Sequence, residues 1–125
     1  MSETLKVCGL TIERGTKLRT YLPVPDTNVK IPLTIINGEN DGPTLLITAG
    51  IHGGEYPGIA AAMELGRDIE PEHVTGCLIM MHPVNIQGFW ARREMIVPED
   101  GKNLNRVFPG DPTGTLADKT AYLIS

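Results

Sequence analysis

Cysteine is scarce in this 125-residue chain: Cys8 and Cys77 lie far apart, outside any CxxC pairing, and both sit among apolar residues. They offer no disulfide framework and read as reduced, buried thiols of a cytosolic protein. Positive charge is also short. Eleven Lys and Arg stand against fifteen Asp and Glu, for a net charge of −4. No run of like charges builds a basic stripe that could neutralise phosphates, which argues against a nucleic-acid partner. No apolar run approaches the roughly 20 residues of a membrane span. The opening MSETLKVCGL has no basic region followed by an apolar stretch of signal-peptide length. Internal repeats and low-complexity tracts are missing too, and the reading is a soluble cytoplasmic protein with no membrane partner. What is present suffices for a core. Hydrophobic residues make up 41% of the chain, mean hydropathy is near zero, and a single domain of this size buries about two-thirds of its unfolded surface.

Two segments read as strands, LTIING at 33–38 and the β-branched TLLITAG at 44–50, with GENDGP as the turn between them. The second is apolar on both alternating faces, the pattern of a central strand covered on both sides. EYPGIAAAMELGRD, at 55–68, reads as a helix. Pro57 is tolerated in its first turn, and Ile59, Ala62, Met63 and Gly66 share one side. CLIMMHP, at 77–83, completes a strand, helix, strand unit with a crossover long enough for parallel pairing. From 83 to 114 neither a helical nor an alternating period holds, and a loop of that length in a compact domain is usually functional or disordered. LADKTAYLIS then begins an amphipathic helix with no capping glycine and no strand after it, so the chain reads as truncated.

His52 and Glu55, in AGIHGGE, fall just beyond the carboxyl end of the expected central strand, where open α/β sheets place their ligand sites. Imidazole nitrogen and carboxylate oxygen both suit Zn²⁺, and a catalytic zinc commonly takes three protein ligands plus water. Two of the three are here. Gly50, Gly53 and Gly54 let the loop fold tightly enough to aim both side chains at one point. The competing reading makes Glu55 a complement to the helix N-terminus and His52 a polar turn residue; HxxE alone is too short to decide between them.

The long loop concentrates Arg92, Arg93, Asn103, Asn105 and Arg106. Forked guanidinium donors suit carboxylates and oxyanions, and Asn adds a neutral donor and acceptor beside them. The alternative is a solvated loop whose Asn residues cap turns and whose Arg residues pair with Glu94, Glu99 or Asp100. His82 reads as a hydrogen-bonded structural residue rather than a ligand, and His73 as a surface residue. Phe89 and Trp90 either wall a pocket or anchor the loop. Phe108 and Pro109 shape its exit.

In their order along the chain, TAGIHGGEYPG, MMHPVN and GKNLNRVFPGD resemble the succinylglutamate desuccinylase and aspartoacylase family, relatives of the zinc carboxypeptidases. The resemblance covers about residues 33–125. It implies a three-layer α/β/α fold with a mixed, partly parallel sheet, of which this chain is the N-terminal part. Residues 1–30 are then a β-rich lead-in and 31–125 the metal- and substrate-binding half of one catalytic domain. It further implies that His52 and Glu55 are the first two ligands of one Zn²⁺. The third, a later His, and the general-base Glu have no counterpart here. Asn105 and Arg106 match the pair that holds the substrate carboxylate, and Arg92 or Arg93, with Arg93 preferred, matches the Arg that polarises the scissile carbonyl. Asn103 stands where the family usually has Asp. The implied activity is zinc-dependent hydrolysis of the amide bond of a small N-acyl amino acid. A metallocarboxypeptidase and a non-catalytic metal- or carboxylate-binding module are the alternatives, and the oligomeric state is left open.

Overall fold

The computed structural model of the chain describes residues 4–125; the first three residues of the expected lead-in lie outside the described residues. The described part of that stretch is mostly β-structure. A hairpin of β1 (Thr4–Val7) and β2 (Leu10–Glu13) precedes a four-stranded sheet built from β3 (Thr16–Pro23), β4 (Lys30–Asn37), β5 (Asn40–Thr48) and β6 (Thr75–Met81). The strand order is β3-β4-β6-β5. β4 pairs antiparallel with β3 and with β6, and β6 pairs parallel with β5. The parallel pair is joined through α1 (Tyr56–Asp68), so the expected strand, helix, strand unit is present.

Strand periodicity sorts β4 into two faces. Ile31, Leu33 and Ile35 are fully buried with Val84, Leu104, Ala117 and Ala121, so the long loop and α3 (Leu116–Ile124) cover that side. Each of the buried Ile, Leu and Val side chains contributes about 1.5–3 kcal/mol. Ile36 packs with Leu78 and Met80 on the other side, where Thr34 lies so close beneath α1 that only a glycine fits at Gly66. Helices therefore flank the sheet on both faces. Ile59, Ala62 and Gly66 form the buried stripe of α1, whereas Met63, expected among them, is exposed. Lys17 closes the C-terminal end of α1, donating to the carbonyls of Gly66, Arg67 and Ile69 at 3.1, 3.1 and 2.8 Å. It thereby satisfies acceptors that a helix end leaves without partners.

Four expectations need correction. β5 is an edge strand, not a central one: Leu45 and Leu46 are 57% and 42% exposed. The turn before it is shorter than expected, because β5 begins at Asn40 and takes in most of GENDGP, with an irregularity between Asn40 and Thr44. Cys8 is exposed rather than buried, in the β1–β2 turn with φ 45, and Cys77 is only partly buried; both thiols are free. Finally, the long loop contains a short helix, α2 (Ile86–Trp90), and a 3-10 turn at Leu104–Arg106. Elements of five and three residues are too short to show a period. The signal for α2 was Asn85, whose side chain accepts from the Gly88 amide at 2.9 Å as an N-cap.

Candidate metal and carboxylate site

The loops that follow β5 and β6 are joined by backbone hydrogen bonds, Val84 to the Ala49 carbonyl at 2.8 Å and Asn85 to that of Gly50 at 2.9 Å. On this base the HGGE turn folds back, the Glu55 amide donating to the His52 carbonyl at 3.2 Å. The glycines serve close approach. A Cβ on Gly53 would lie 2.5 Å from backbone atoms of Gly88 and Phe89, and one on Gly54 would lie 2.9 Å from the Cα of Glu94. Two pieces of the long loop are thus pressed against the turn that carries His52 and Glu55.

His52 Nδ1 lies 3.4 Å from Glu55 Oε2. Its other ring nitrogen, Nε2, lies 2.9 Å from Asn103 Oδ1, an oxygen that also accepts from the Asn105 amide at 3.0 Å. An amide oxygen can only accept, so this contact requires a proton on Nε2, while Nδ1 faces the Glu55 carboxylate. With Nδ1 unprotonated the two groups are acceptors at a separation that a shared cation would bridge, and with Nδ1 protonated they form an imidazolium–carboxylate pair. Ligand atoms about 2.0–2.1 Å from a tetrahedral zinc stand roughly 3.3–3.4 Å apart, and the partner that fixes the ring is the usual second element of such a site. The pair fits two ligands of a metal. Among the described residues no group of three or more His, Cys, Asp or Glu is placed to hold one.

Asn105 and Arg106 belong to the 3-10 turn that Asn103 caps, and both are exposed, while Leu104 between them and Asn103 is fully buried. The Asn103 side chain therefore joins the HGGE turn to the Asn105–Arg106 turn directly. Arg92 and Arg93 come to the same neighbourhood by another route: the Gly54 amide donates to the Glu94 carbonyl at 3.2 Å, immediately after them. Arg92 sits in the left-handed region, φ 57, where a non-glycine residue is uncommon. Among the described residues none of Arg92, Arg93 and Arg106 forms an ion pair, so the expected alternative of pairing with Glu94, Glu99 or Asp100 is not realised. Three guanidinium groups are left available to an anion.

The neighbours divide as follows. His82 is buried, with Nε2 2.8 Å from Thr34 Oγ1; burial holds its pKa below the ordinary value, and the Arg19 charge acts in the same direction. His73 is exposed and closes a local turn, its Nδ1 accepting from the Glu70 amide at 3.0 Å. Phe89 and Trp90 line a cavity of about 960 Å³ on the α1 side of the sheet, which neither His52 nor Glu55 borders. Phe89 also meets Tyr56 edge to face, with centroids 5.8 Å apart. Sequence reasoning missed Asp100, Lys102 and Asp118, which tie the long loop to α3. Their one legible sign was Thr115 three residues before Asp118, a helix-capping spacing.

The fold is that of an α/β protein, and the HGGE turn lies where β5 and β6 end, the position at which open sheets of this kind bind ligands. The chain belongs to the succinylglutamate desuccinylase/aspartoacylase family: the catalytic-domain model of that family matches residues 41–123. It is 43% identical to the N-alpha-acetyl-L-2,4-diaminobutyric acid deacetylase of Halomonas elongata, over 81% of this chain and 31% of that protein. The crystal structure of a succinylglutamate desuccinylase/aspartoacylase from Rhodobacter sphaeroides superposes with a TM-score of 0.81 at 35% identity, covering 98% of this chain and 39% of the other. The product-bound ectoine utilization protein EutE (DoeB) of Ruegeria pomeroyi gives 0.80 at 38% identity, with coverages of 88% and 35%. The chain thus spans well under half the length of these relatives, and its mixed sheet and flanking helices agree with the fold implied by the sequence motifs.

Proposed function

We propose that the chain supplies the metal- and carboxylate-holding part of a zinc-dependent deacylase that hydrolyses the amide bond of a small N-acyl amino acid. The observation that carries this reading is the His52 ring, its Nε2 held by Asn103 and its Nδ1 turned toward Glu55 at 3.4 Å. His52 and Glu55 are the residues that would hold Zn²⁺. When bound, the metal supplies a water of lowered pKa and a polarised carbonyl. Asn103 keeps the imidazole in the tautomer that leaves Nδ1 free. Asn105 and Arg106 hold the substrate carboxylate, the guanidinium by a bidentate pair of hydrogen bonds. Arg93, or Arg92 beside it, donates to the carbonyl oxygen as negative charge develops there. The third ligand and the general base come from the remainder of the longer protein.

Support for a deacylase over a carboxypeptidase comes from the relatives, one of which is a deacetylase of an acetylated diamino acid. N-acetyl-diaminobutyrate is therefore the first substrate to try, beside other acyl amino acids and short peptides. Two free thiols suit a reducing compartment such as the cytoplasm, and no helix among the described residues is long and apolar enough to cross a membrane. The longer protein is expected to release amine from acyl amino acids, to lose that activity to a chelator and to regain it with Zn²⁺. Full activity after complete metal removal would refute the mechanism.

A further inference from the structure

The geometry points to Lys102 and Asp118 as positioning residues: their ion pair sets the Asn103 amide against His52, so that α3, which bears no ligand of its own, governs the orientation of the metal-facing imidazole. The description of His52 as a metal ligand rests on the proposed function; the positioning itself does not.

Asn103 lies between two anchored residues. On one side Leu104 is fully buried in the main core. On the other, every polar group of Lys102 is engaged. Its amide donates to Asp100 Oδ1 at 2.9 Å, its carbonyl accepts from the Val97 amide at 2.8 Å, and its Nζ donates to Asp118 Oδ2 at 2.7 Å. The far side of this clamp is rigid as well. Asp118 Oδ2 also accepts from the amide and hydroxyl of Thr115 at 3.0 and 2.9 Å, which fastens it to the first turn of α3. Asp100 Oδ2 accepts from the Ala117 amide at 2.8 Å, so the segment holding Asn103 is tied to that helix end twice. The Asp118 carbonyl takes the Asp111 amide at 3.0 Å, closing the loop on its exit side.

The lysine and aspartate side chains are 40% and 17% exposed, and a pair so open to water adds little to stability. Its effect is geometric. Lys102 directly precedes Asn103, whose amide must keep its oxygen, and not its NH₂, toward His52 Nε2. Releasing the Lys102 ammonium leaves that side of Asn103 held by the contacts to Asp100 and Val97 and removes one of its two ties to α3. The acceptor at Nε2 is then lost for part of the time, and the proton redistributes between the two ring nitrogens.

The test is side-chain ¹⁵N NMR of His52 in the metal-free protein, paired with zinc titration. The native protein should show the Nε2–H tautomer. Lys102→Met should give a mixture of tautomers and about tenfold weaker zinc binding, at the lower end of what loss of a ligand's partner costs, and Lys102→Arg should restore both. Asp118→Asn keeps an acceptor for Thr115 while removing the charge that Lys102 seeks, so it should reproduce Lys102→Met even if that variant folds poorly. In an Asn103→Ala background Lys102→Met should add nothing further. An unchanged tautomer in both Lys102→Met and Asp118→Asn, or an additive loss in the Asn103→Ala background, would overturn the proposal. The tautomer is read without metal, so a failure of the native protein to bind zinc would count against the zinc reading alone.

Discussion

The turn that carries His52 and Glu55 and the arm that carries Asn105 and Arg106 are both irregular, yet different forces hold them. The turn is positioned by backbone against backbone: Gly53 on Gly88 and Phe89, Gly54 on Glu94, and the hydrogen bonds that join the ends of β5 and β6. The arm is positioned by side chains, with Leu104 in the core, Asn103 on His52, and Asp100, Lys102 and Asp118 fastened to α3. Contact at van der Waals distance tolerates no added methyl group. A hydrogen-bonded and ionic brace tolerates substitution but responds to charge and pH. One half of the site is therefore rigid by exclusion of volume and the other adjustable by chemistry.

The largest effect is expected on the turn itself. His52→Ala removes the imidazole and should abolish zinc binding in a calorimetric titration; unchanged affinity would discard the ligand assignment. Gly53→Ala forces a Cβ within 2.5 Å of backbone and should destabilise the fold by about 1–3 kcal/mol, the usual cost of overpacking. A denaturant midpoint equal to that of the native protein would show that α2 gives way and that the turn is softer than described. On the arm, Asn103→Ala should weaken zinc binding by about 10- to 100-fold with the fold intact, whereas Asn103→Asp, whose carboxylate makes the imidazole more basic, should strengthen it. If the two variants bound zinc equally, the arm would not act through His52.

The smallest effect is the response to acid. The Lys102 ammonium, with help from Thr115, holds the Asp118 carboxyl down to about 2 from its ordinary 3.8. Because the folded value is the lower one, the carboxylate's contribution is complete above about pH 4 and is lost as the pH falls through about 2. Hydrogen exchange at the amides of Thr115 and Lys102 should rise across that window. Asp118→Asn should remove the dependence, and an equal acid response in that variant would assign it to another group.

The residues that come together in the two turns were legible because each pattern is local. HGGE places an imidazole and a carboxylate three residues apart at a strand end, and NLNR places an amide, a second amide and a guanidinium on one turn, so the motifs carried their own geometry. Asn103 illustrates the limit. From sequence it was a departure from the family's usual Asp, with an effect on the loop but no partner. That its oxygen meets His52 depends on a contact across 51 residues. Lys102 and Asp118 were invisible for the same reason, since surface charges carry no signal until the helix they join is in place. α2 escaped because five residues cannot display a period.

The sequence by itself determined the strand, helix, strand unit and the order of the HGGE turn before the NLNR turn, since β propensity, helical spacing and residue chemistry are properties of neighbours along the chain. Tertiary structure alone decided that β5 lies at the edge of this sheet with Leu45 and Leu46 exposed, that Cys8 faces solvent, and that an amide in the long loop holds the ring of His52. Each of these depends on which distant segment, if any, comes to lie alongside.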